Sequence, residues 1–176
     1  MRIYLACDSN NDFFIDAVKE AFDYVSATLS EGSMELIFAP RRWGGDTGTI
    51  VENVRRIMNA DLVLMDVTPI SAHGEDATLK YNEGVMIEYG LVLAMEKPWE
   101  GSPWYGRYPK PSSQVYCSDS IPRGTLTGIL NERTICSYSK NANGRVELVN
   151  EIKEEIKKKN GEILQIGSWI RKSSEP

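Results

Sequence analysis

Apolar and polar positions alternate along the first half of this chain in a way that predicts strands and helices in turn. Short apolar runs at residues 3–7, 36–39 and 62–65 have the length and composition of buried strands. Between them, apolar residues recur at helical spacing over residues 14–25 and 50–58. Thr49 and Glu52 form a capping-box pattern, so the second helix is expected to start there.

The second half of the chain continues this alternation. A third helix is predicted from Asn82 to about Met95, and two shorter strands at residues 114–117 and 134–136. A last helix is expected to turn four apolar residues inward: Val146, Val149, Ile152 and Ile156. Strands separated by amphipathic helices indicate a parallel sheet covered on both faces. We therefore expect a single-domain α/β protein, a flavodoxin/Rossmann-like three-layer sandwich with a mostly parallel five-stranded sheet in the order 2-1-3-4-5.

Two segments depart from the alternation. Residues 97–113 contain four prolines, two tryptophans and two tyrosines, which is typical of a lid-like loop or partner surface, although such a loop can also pack on its own domain. Residues 160–176 are predicted to form a C-terminal tail that docks on the domain or on a second subunit. The expected organisation is an α/β domain over residues 1–159 followed by this tail, and we expect a homo-oligomer.

Composition limits the partners. At 176 residues, one domain is the natural count. A net charge of −5 and a pI near 5.0 argue against a broad nucleic-acid surface, so no nucleic-acid partner is expected. No apolar run approaches the roughly 20 residues that cross a bilayer, and the chain enters its first strand without an apolar leader. We therefore expect no membrane partner and a cytoplasmic location.

Cysteine and histidine contribute little to the expected chemistry. Cys7, Cys117 and Cys136 are widely spaced, and their strand positions favour small buried thiols in a reducing compartment. His73 is the only histidine and lies in a polar loop, so a zinc site or a Ser-His-Asp triad would depend on it alone. No metal site is expected.

Candidate binding residues follow the strands. Ser9 and Asn10, after the first strand, are placed to bond a ligand near a helix N-terminus; the alternative is simple N-capping by Asn11 or Asp12. This loop lacks the spaced glycines of a dinucleotide fingerprint and the lysine of a phosphate-cradling loop. Hydride transfer and ATP hydrolysis therefore lose support, and no bound cofactor is expected.

The loops after the second and third strands add further candidates. Arg41, Arg42 and Trp43 offer guanidinium groups and an aromatic face, which suit a phosphate and a base. The alternative is a surface loop with solvated arginines. Asp66 and Thr68 are positioned to bond ligand hydroxyls or, equally, to cap the following turn.

Glu88 is the strongest single candidate. Its neighbours in the third helix are apolar, so the carboxylate is expected to be half-desolvated, with a raised pKa. It is expected to meet Asp66 and Asn82 at the carboxyl end of the sheet. Such a group can act as a nucleophile, as a base, or as a charge opposing a cationic transition state. The alternative is a structural ion pair with an arginine.

A family resemblance rests on three segments. Residues 3–6, residues 60–68, and residues 82–90 with Ala94 resemble the superfamily of the nucleoside 2-deoxyribosyltransferases and the TIR-like predicted nucleotide-binding proteins, many of which cleave NAD. In that superfamily a glutamate of a "Glu-hydrophobic-Gly…Ala" helix is catalytic, and the resemblance gives this role to Glu88.

The resemblance covers roughly residues 1–138. Where the transferases usually carry Asp-x-Gly-Thr before the glutamate, this chain has Asn82, Glu83, Gly84 and Val85, which looks closer to the TIR-like branch.

Three functions are therefore open. The first is an N-glycosidase that cleaves the base–ribose bond of a nucleotide such as NAD, with Glu88 opposing the ribose cation. In this hypothesis NAD is a substrate, Arg41 and Arg42 hold phosphate, and Asp66 or Asn82 bonds the ribose hydroxyls. The base would stack on an aromatic residue: Trp43, Trp99 or Trp104. The second is a nucleoside 2-deoxyribosyltransferase, and the third is a non-catalytic nucleotide-sensing or partner-binding module.

Overall fold

The structure, a computed structural model, describes residues 1–29, 33–38, 47–73, 78–96, 100–101, 105–106, 111–121 and 134–173. Along the chain its elements are β1 (Arg2–Ala6), α1 (Asp12–Thr28), β2 (Glu35–Phe38), α2 (Thr47–Met58), β3 (Leu62–Asp66), β4 (Ser71–His73), β5 (Thr78–Lys80), α3 (Glu83–Glu96), β6 (Ser112–Ser118), β7 (Cys136–Tyr138) and α4 (Ala142–Ser173).

Five of these strands form one parallel sheet in the order β2-β1-β3-β6-β7. At its centre, Ile3 of β1 pairs with Leu36 of β2 on one side and Leu62 of β3 on the other. Counted within this sheet, the order is 2-1-3-4-5. The predicted α/β fold and strand order are therefore confirmed, and every strand pairing in this sheet is parallel.

Each face of the sheet is covered by a pair of helices. Side chains of β1, β3 and β6 alternate between the two faces because successive residues of a strand point in opposite directions. Ile3 and Leu5 pack with α1 and α4, whereas Tyr4 and Ala6 pack with α2 and α3. Two apolar cores result, one on each side of the sheet, which is the three-layer arrangement the sequence predicts.

The loop between β3 and α3 contains structure that the sequence pattern did not predict. Strands β4 and β5 pair antiparallel as a small separate hairpin. Their polar, three-residue segments lack the apolar alternation that identifies a strand. Helix α2 also begins at Thr47, two residues before the predicted start at Thr49.

Helix α4 differs from the prediction in length and in one core residue. It continues to Ser173, so residues 160–173 extend the helix instead of leaving it as a separate tail. Val146 was expected to face inward but is 61% exposed, whereas Leu148 is buried. The inward stripe contains Val149 and Ile152; Val146, six residues before Ile152, is rotated from it by about 120° at 3.6 residues per turn. None of the described helices is long and apolar enough to cross a membrane.

Candidate functional site

The order of the strands creates a crevice at the carboxyl edge of the sheet. The chain leaves β1 towards β2 on one side, and leaves β3 towards β6 on the other, so the loops that follow β1 and β3 diverge. A cleft of about 260 Å³ opens there. Its lining residues are Asp8, Asn10, Asn11, Asp66, Thr68, Pro69, Ile70 and Lys140.

Asp66 is the centre of a hydrogen-bonded cluster beneath this cleft. It is 2% exposed. Its Oδ2 accepts from Asn11 Nδ2, and its Oδ1 accepts from the Thr68 hydroxyl at 2.6 Å and the Thr68 backbone N–H at 3.2 Å. Asn11 Nδ2 also donates to the Tyr138 hydroxyl at 2.9 Å, and Thr68 Oγ1 accepts from the Ser118 backbone N–H at 2.8 Å. The cluster thus joins α1, β3, β6 and β7.

The contacts of Asn11 and Asp66 bear on the capping roles that the sequence left as alternatives. Asn11 precedes α1, but its side chain makes no capping hydrogen bond and binds Asp66 instead. Asp66 does cap the turn that follows it, through Thr68. Burial raises the pKa of Asp66, although the hydrogen bonds from Thr68 and Asn11 and the charge of Lys140 oppose that rise.

Asn82 connects the start of α3 to the loop after β1. Its Oδ1 accepts the backbone N–H groups of Gly84 at 3.0 Å and Val85 at 3.3 Å, which caps the helix. Its Nδ2 donates to Asp8 Oδ2 at 2.9 Å. Asn82, Asp8 and Asp66 also line one small cavity together, which has no room for a water molecule. Two of the three residues expected to meet at this edge, Asp66 and Asn82, therefore do so.

Glu88 lies apart from that edge. Its carboxylate is buried at 2% exposure between the sheet and the helices α2 and α3. Oε1 accepts the Tyr4 hydroxyl at 2.8 Å and Asn53 Nδ2 at 3.2 Å. Tyr4 is the middle residue of β1, so Glu88 contacts the body of the sheet. It lines neither of the two cavities at the carboxyl edge of the described residues.

The surroundings of Glu88 contain hydrogen-bond donors but no positive partner among the described residues. Burial raises its pKa to about 7, and the hydrogen bonds from Tyr4 and Asn53 oppose that rise. Both donors are neutral, so the alternative of a structural arginine ion pair is not found in the described part of the chain. Burial and the adjacent carboxylate raise the pKa of Tyr4. The result is a buried carboxylate that is held in place and can change its protonation near neutral pH.

Sequence reasoning missed Tyr4 and Asn53 as partners of Glu88, and Asn11 and Tyr138 as members of the Asp66 cluster. Tyr4 was assigned to the apolar core of a strand, although a buried tyrosine usually needs a partner for its hydroxyl. Asn53 offered a clearer signal, because it lies four residues before Ile57 on the buried side of α2. An amide at an apolar position of a helix indicates a polar partner across the interface.

Other predicted residues are exposed or outside the described regions. Ser9 is exposed in the turn after β1. The remaining candidates lie outside the described residues: Arg41, Arg42, Trp43, Trp99 and Trp104. Most of residues 97–113 and the side chain of His73 are outside them too.

The described cysteines are free thiols. Cys117 is buried, and Cys7 and Cys136 are half-buried. Burial raises the pKa of Cys117 to about 11 and that of Cys136 to about 11, so both are protonated at neutral pH. Among the described residues, no three His, Cys, Asp or Glu side chains are grouped to hold a metal ion.

Comparison with known proteins adds a distant structural similarity. No family model matches the sequence, and no curated protein matches it. The chain is similar to a solved flavodoxin-like domain from Synechococcus sp., with a TM-score of 0.48 and 8% sequence identity. The similarity covers 89% of this chain and 99% of that domain. The resemblance to TIR-like proteins and deoxyribosyltransferases therefore stays a prediction that rests on sequence motifs.

Proposed function

We propose that this protein is an N-glycosidase that cleaves the base–ribose bond of a nucleotide such as NAD, with Glu88 as the catalytic carboxylate. The observation that carries the proposal is the state of Glu88: a buried carboxylate, fixed by two neutral donors, without a described ion-pair partner. A charge that only stabilised the fold would be expected to have such a partner, because an unpaired buried carboxylate is destabilising.

The chemistry fits one well-placed carboxylate. When the bond between C1′ and the base nitrogen breaks, its electron pair leaves with the base, and positive charge develops on the ribose. The negative charge of Glu88 opposes that cation, more strongly in a desolvated site than in water. Water then adds its oxygen to C1′ and releases a proton. A pKa of about 7 leaves Glu88 about half ionised at neutral pH.

The carboxyl-edge cleft supports binding of the rest of the substrate. In this proposal, Asp66 or Asn82 bonds the ribose hydroxyls, with Thr68, Ser9 and Asn10 as further binding residues. Carboxylate and amide oxygens are suitable acceptors for hydroxyl donors. Arg41 and Arg42 would hold phosphate and Trp43 would stack on the base.

A second candidate is a nucleotide-binding module without turnover. The observation that favours it is that Glu88 lines neither described cavity at the carboxyl edge, whereas Asp66 lines both. A ligand held at Asp66 would then remain intact, and Glu88 would serve the fold.

The deciding experiment is a mass-spectrometric screen of the purified protein with NAD, NADP, nucleosides, deoxynucleosides and nucleotides. Wild type is compared with Glu88→Gln and with Glu83→Gln, which removes an exposed carboxylate from the same helix. The proposal requires a free base from wild type and from Glu83→Gln, and a loss of about 100-fold or more in Glu88→Gln.

Other outcomes select other functions. Base exchange confined to deoxynucleosides would establish the deoxyribosyltransferase. Retention of one intact compound by all three proteins, with no turnover, would establish the binding module. Release of base by Glu88→Gln at the wild-type rate would exclude Glu88 from the chemistry.

A further inference from the structure

Asn53 occupies a position where an apolar side chain is expected. Of the side chains described in α2, Asn53 and Ile57 are the two that are fully buried, at 2% and 0% exposure. Asparagine is a poor residue for a helix interior, and a buried amide is costly unless it is hydrogen-bonded. The position therefore calls for a polar partner, and Glu88 is that partner at 3.2 Å.

That single hydrogen bond satisfies only the amino half of the amide. Asn53 Nδ2 donates to Glu88 Oε1, but Asn53 Oδ1 is buried and receives no hydrogen bond from the described residues. A buried carbonyl oxygen without a donor destabilises the fold. Glu88 itself becomes a donor when it is protonated, and a carboxylic acid needs an acceptor. A half-turn of the amide about its Cβ–Cγ bond exchanges Nδ2 and Oδ1, two groups of nearly equal size.

We infer that Asn53 is a positioning residue that holds Glu88 in both of its protonation states. When Glu88 is ionised, Asn53 donates to it through Nδ2. When Glu88 is protonated, the amide is turned by a half-turn, and Asn53 Oδ1 accepts a hydrogen bond from the proton on Oε1. Tyr4, which donates to Oε1 at 2.8 Å in the structure, would keep this bond in both states. The inference deepens the proposed function, on which its catalytic meaning rests: the same amide keeps Glu88 in place before and after it changes charge.

Few titratable groups around Asn53 and Glu88, other than Glu88 itself, can change charge between pH 5 and pH 9. On β1 and just after it, the pKa values of Tyr4 and Cys7 are both strongly raised, so both stay neutral. On α2, Arg56 acts electrostatically on Tyr4 and opposes the rise of its pKa. At the end of β3, the pKa of Asp66 is raised by burial. Glu88→Gln is therefore the control that separates Glu88 from Asp66.

The test is an NMR titration of the whole chain from pH 5 to pH 9. The Glu88 carboxyl carbon and the Asn53 side-chain amide are followed in wild type, with Glu88→Gln and Asn53→Leu for assignment. In wild type, the Asn53 amide signals should move with the same midpoint as Glu88, and this movement should be lost in Glu88→Gln. A nuclear Overhauser contact from the Nδ2 protons to the Tyr4 ring should be present at pH 9 and lost at pH 5.

Asn53→Leu, which is similar in shape but has no polar atoms, should raise the Glu88 midpoint by about one pH unit, because the lost bond to the charged form is the stronger one. Asn53→Asp should raise it further through like charge. An unchanged midpoint in Asn53→Leu, or a Tyr4 contact that persists at both pH values, would overturn the inference. Because the contact with the Tyr4 ring is measured in wild type, this part of the test is valid even if a variant does not fold. A lack of base release by wild type would overturn the proposed function alone.

Discussion

At the scale of single residues, Glu88 determines how stability should depend on pH. Its pKa is about 7 in the folded protein against an ordinary 4.5. Between these values the folded chain keeps a proton that the unfolded chain has released, so stability falls as pH rises through this window. Above pH 7, burial of the charged carboxylate lowers the free energy of unfolding by about 3 kcal/mol, because each pH unit between the two pKa values contributes about 1.4 kcal/mol.

Glu88→Gln removes this penalty, because glutamine is never charged. The free energy of unfolding of the variant, relative to wild type, should therefore rise by about 2–3 kcal/mol between pH 5 and pH 9. Urea denaturation at several pH values measures it. Asp66 is present in both proteins, so its own titration cancels. Glu83→Gln is the matched control and should show no such rise. If the difference in unfolding free energy between Glu88→Gln and wild type did not change with pH, Glu88 would not be a buried titrating group.

Asn11 links secondary-structure elements and should be important for stability. Its amide donates to Asp66 and to Tyr138, which connects the start of α1 to β3 and β7. Asn11→Ala leaves a buried carboxylate oxygen short of a donor, and should lower the free energy of unfolding by about 2 kcal/mol.

Asn10→Ala is the control for that prediction. Asn10 is the neighbouring asparagine, but it is exposed, and among the described contacts its backbone N–H, not its side chain, bonds Asp8. Its change in stability should stay within about 0.5 kcal/mol. Equal losses in the two variants would show that the Asp66 cluster does not stabilise the carboxyl edge.

Two glycines of α4 should respond to alanine with opposite signs. Gly144 lies in the first turn, where a Cβ would collide with the backbone of Ser139. Gly144→Ala should therefore destabilise the protein by about 1–3 kcal/mol. At Gly161 nothing lies within 4 Å of the Cβ position, so Gly161→Ala should stabilise the helix by about 0.5–1 kcal/mol. Thermal denaturation of both variants tests this contrast, and two changes of the same sign would contradict it.

At the scale of helices and strands, the sequence predicts regular, strongly apolar elements well and irregular ones poorly. The strand at residues 62–65 follows from a continuous apolar run and the helix around Val18 from helical periodicity, and the structure has both. The hairpin formed by β4 and β5 is too short and polar to show a period. The glycines at positions 161 and 167 suggest an end to α4, yet the helix passes through both. Local propensity is a weak guide where it conflicts with cooperative helix formation.

The candidate site could also be predicted only in part from the sequence, for a different reason. The positions of Asp66 and Asn82 were predictable, because the ends of parallel strands collect at one edge. The partners of Glu88 were not, since Tyr4 and Asn53 are 84 and 35 residues away in sequence. A pattern read along one strand or one helix does not show which residues meet across the layers. For that reason the sequence predicts Glu88 at the carboxyl edge, whereas in the structure it lies between the sheet and the helices α2 and α3.

At the scale of the whole molecule, the α/β sandwich separates two kinds of carboxylate. Asp66 lies at the carboxyl edge, beside a cleft and the charge of Lys140. Glu88 lies between layers, where apolar side chains of α2 and α3 exclude water. Burial raises the pKa of each; the charge of Lys140 is among the groups that oppose the rise at Asp66, whereas the hydrogen bonds from Tyr4 and Asn53 oppose it at Glu88. Under the proposed function, the edge would bind the substrate and the interlayer carboxylate would supply the charge.

This arrangement implies that activity and stability should change in opposite directions with pH. Cleavage by the proposed mechanism needs the ionised form of Glu88, so kcat/KM should rise about tenfold per pH unit below pH 7 and level off above it. Over the same window the free energy of unfolding falls, because the same ionisation is penalised by burial. Initial rates of base release and urea denaturation, measured in the same buffers, should give one shared midpoint. Two separate midpoints would mean that the group controlling the rate is a residue other than Glu88.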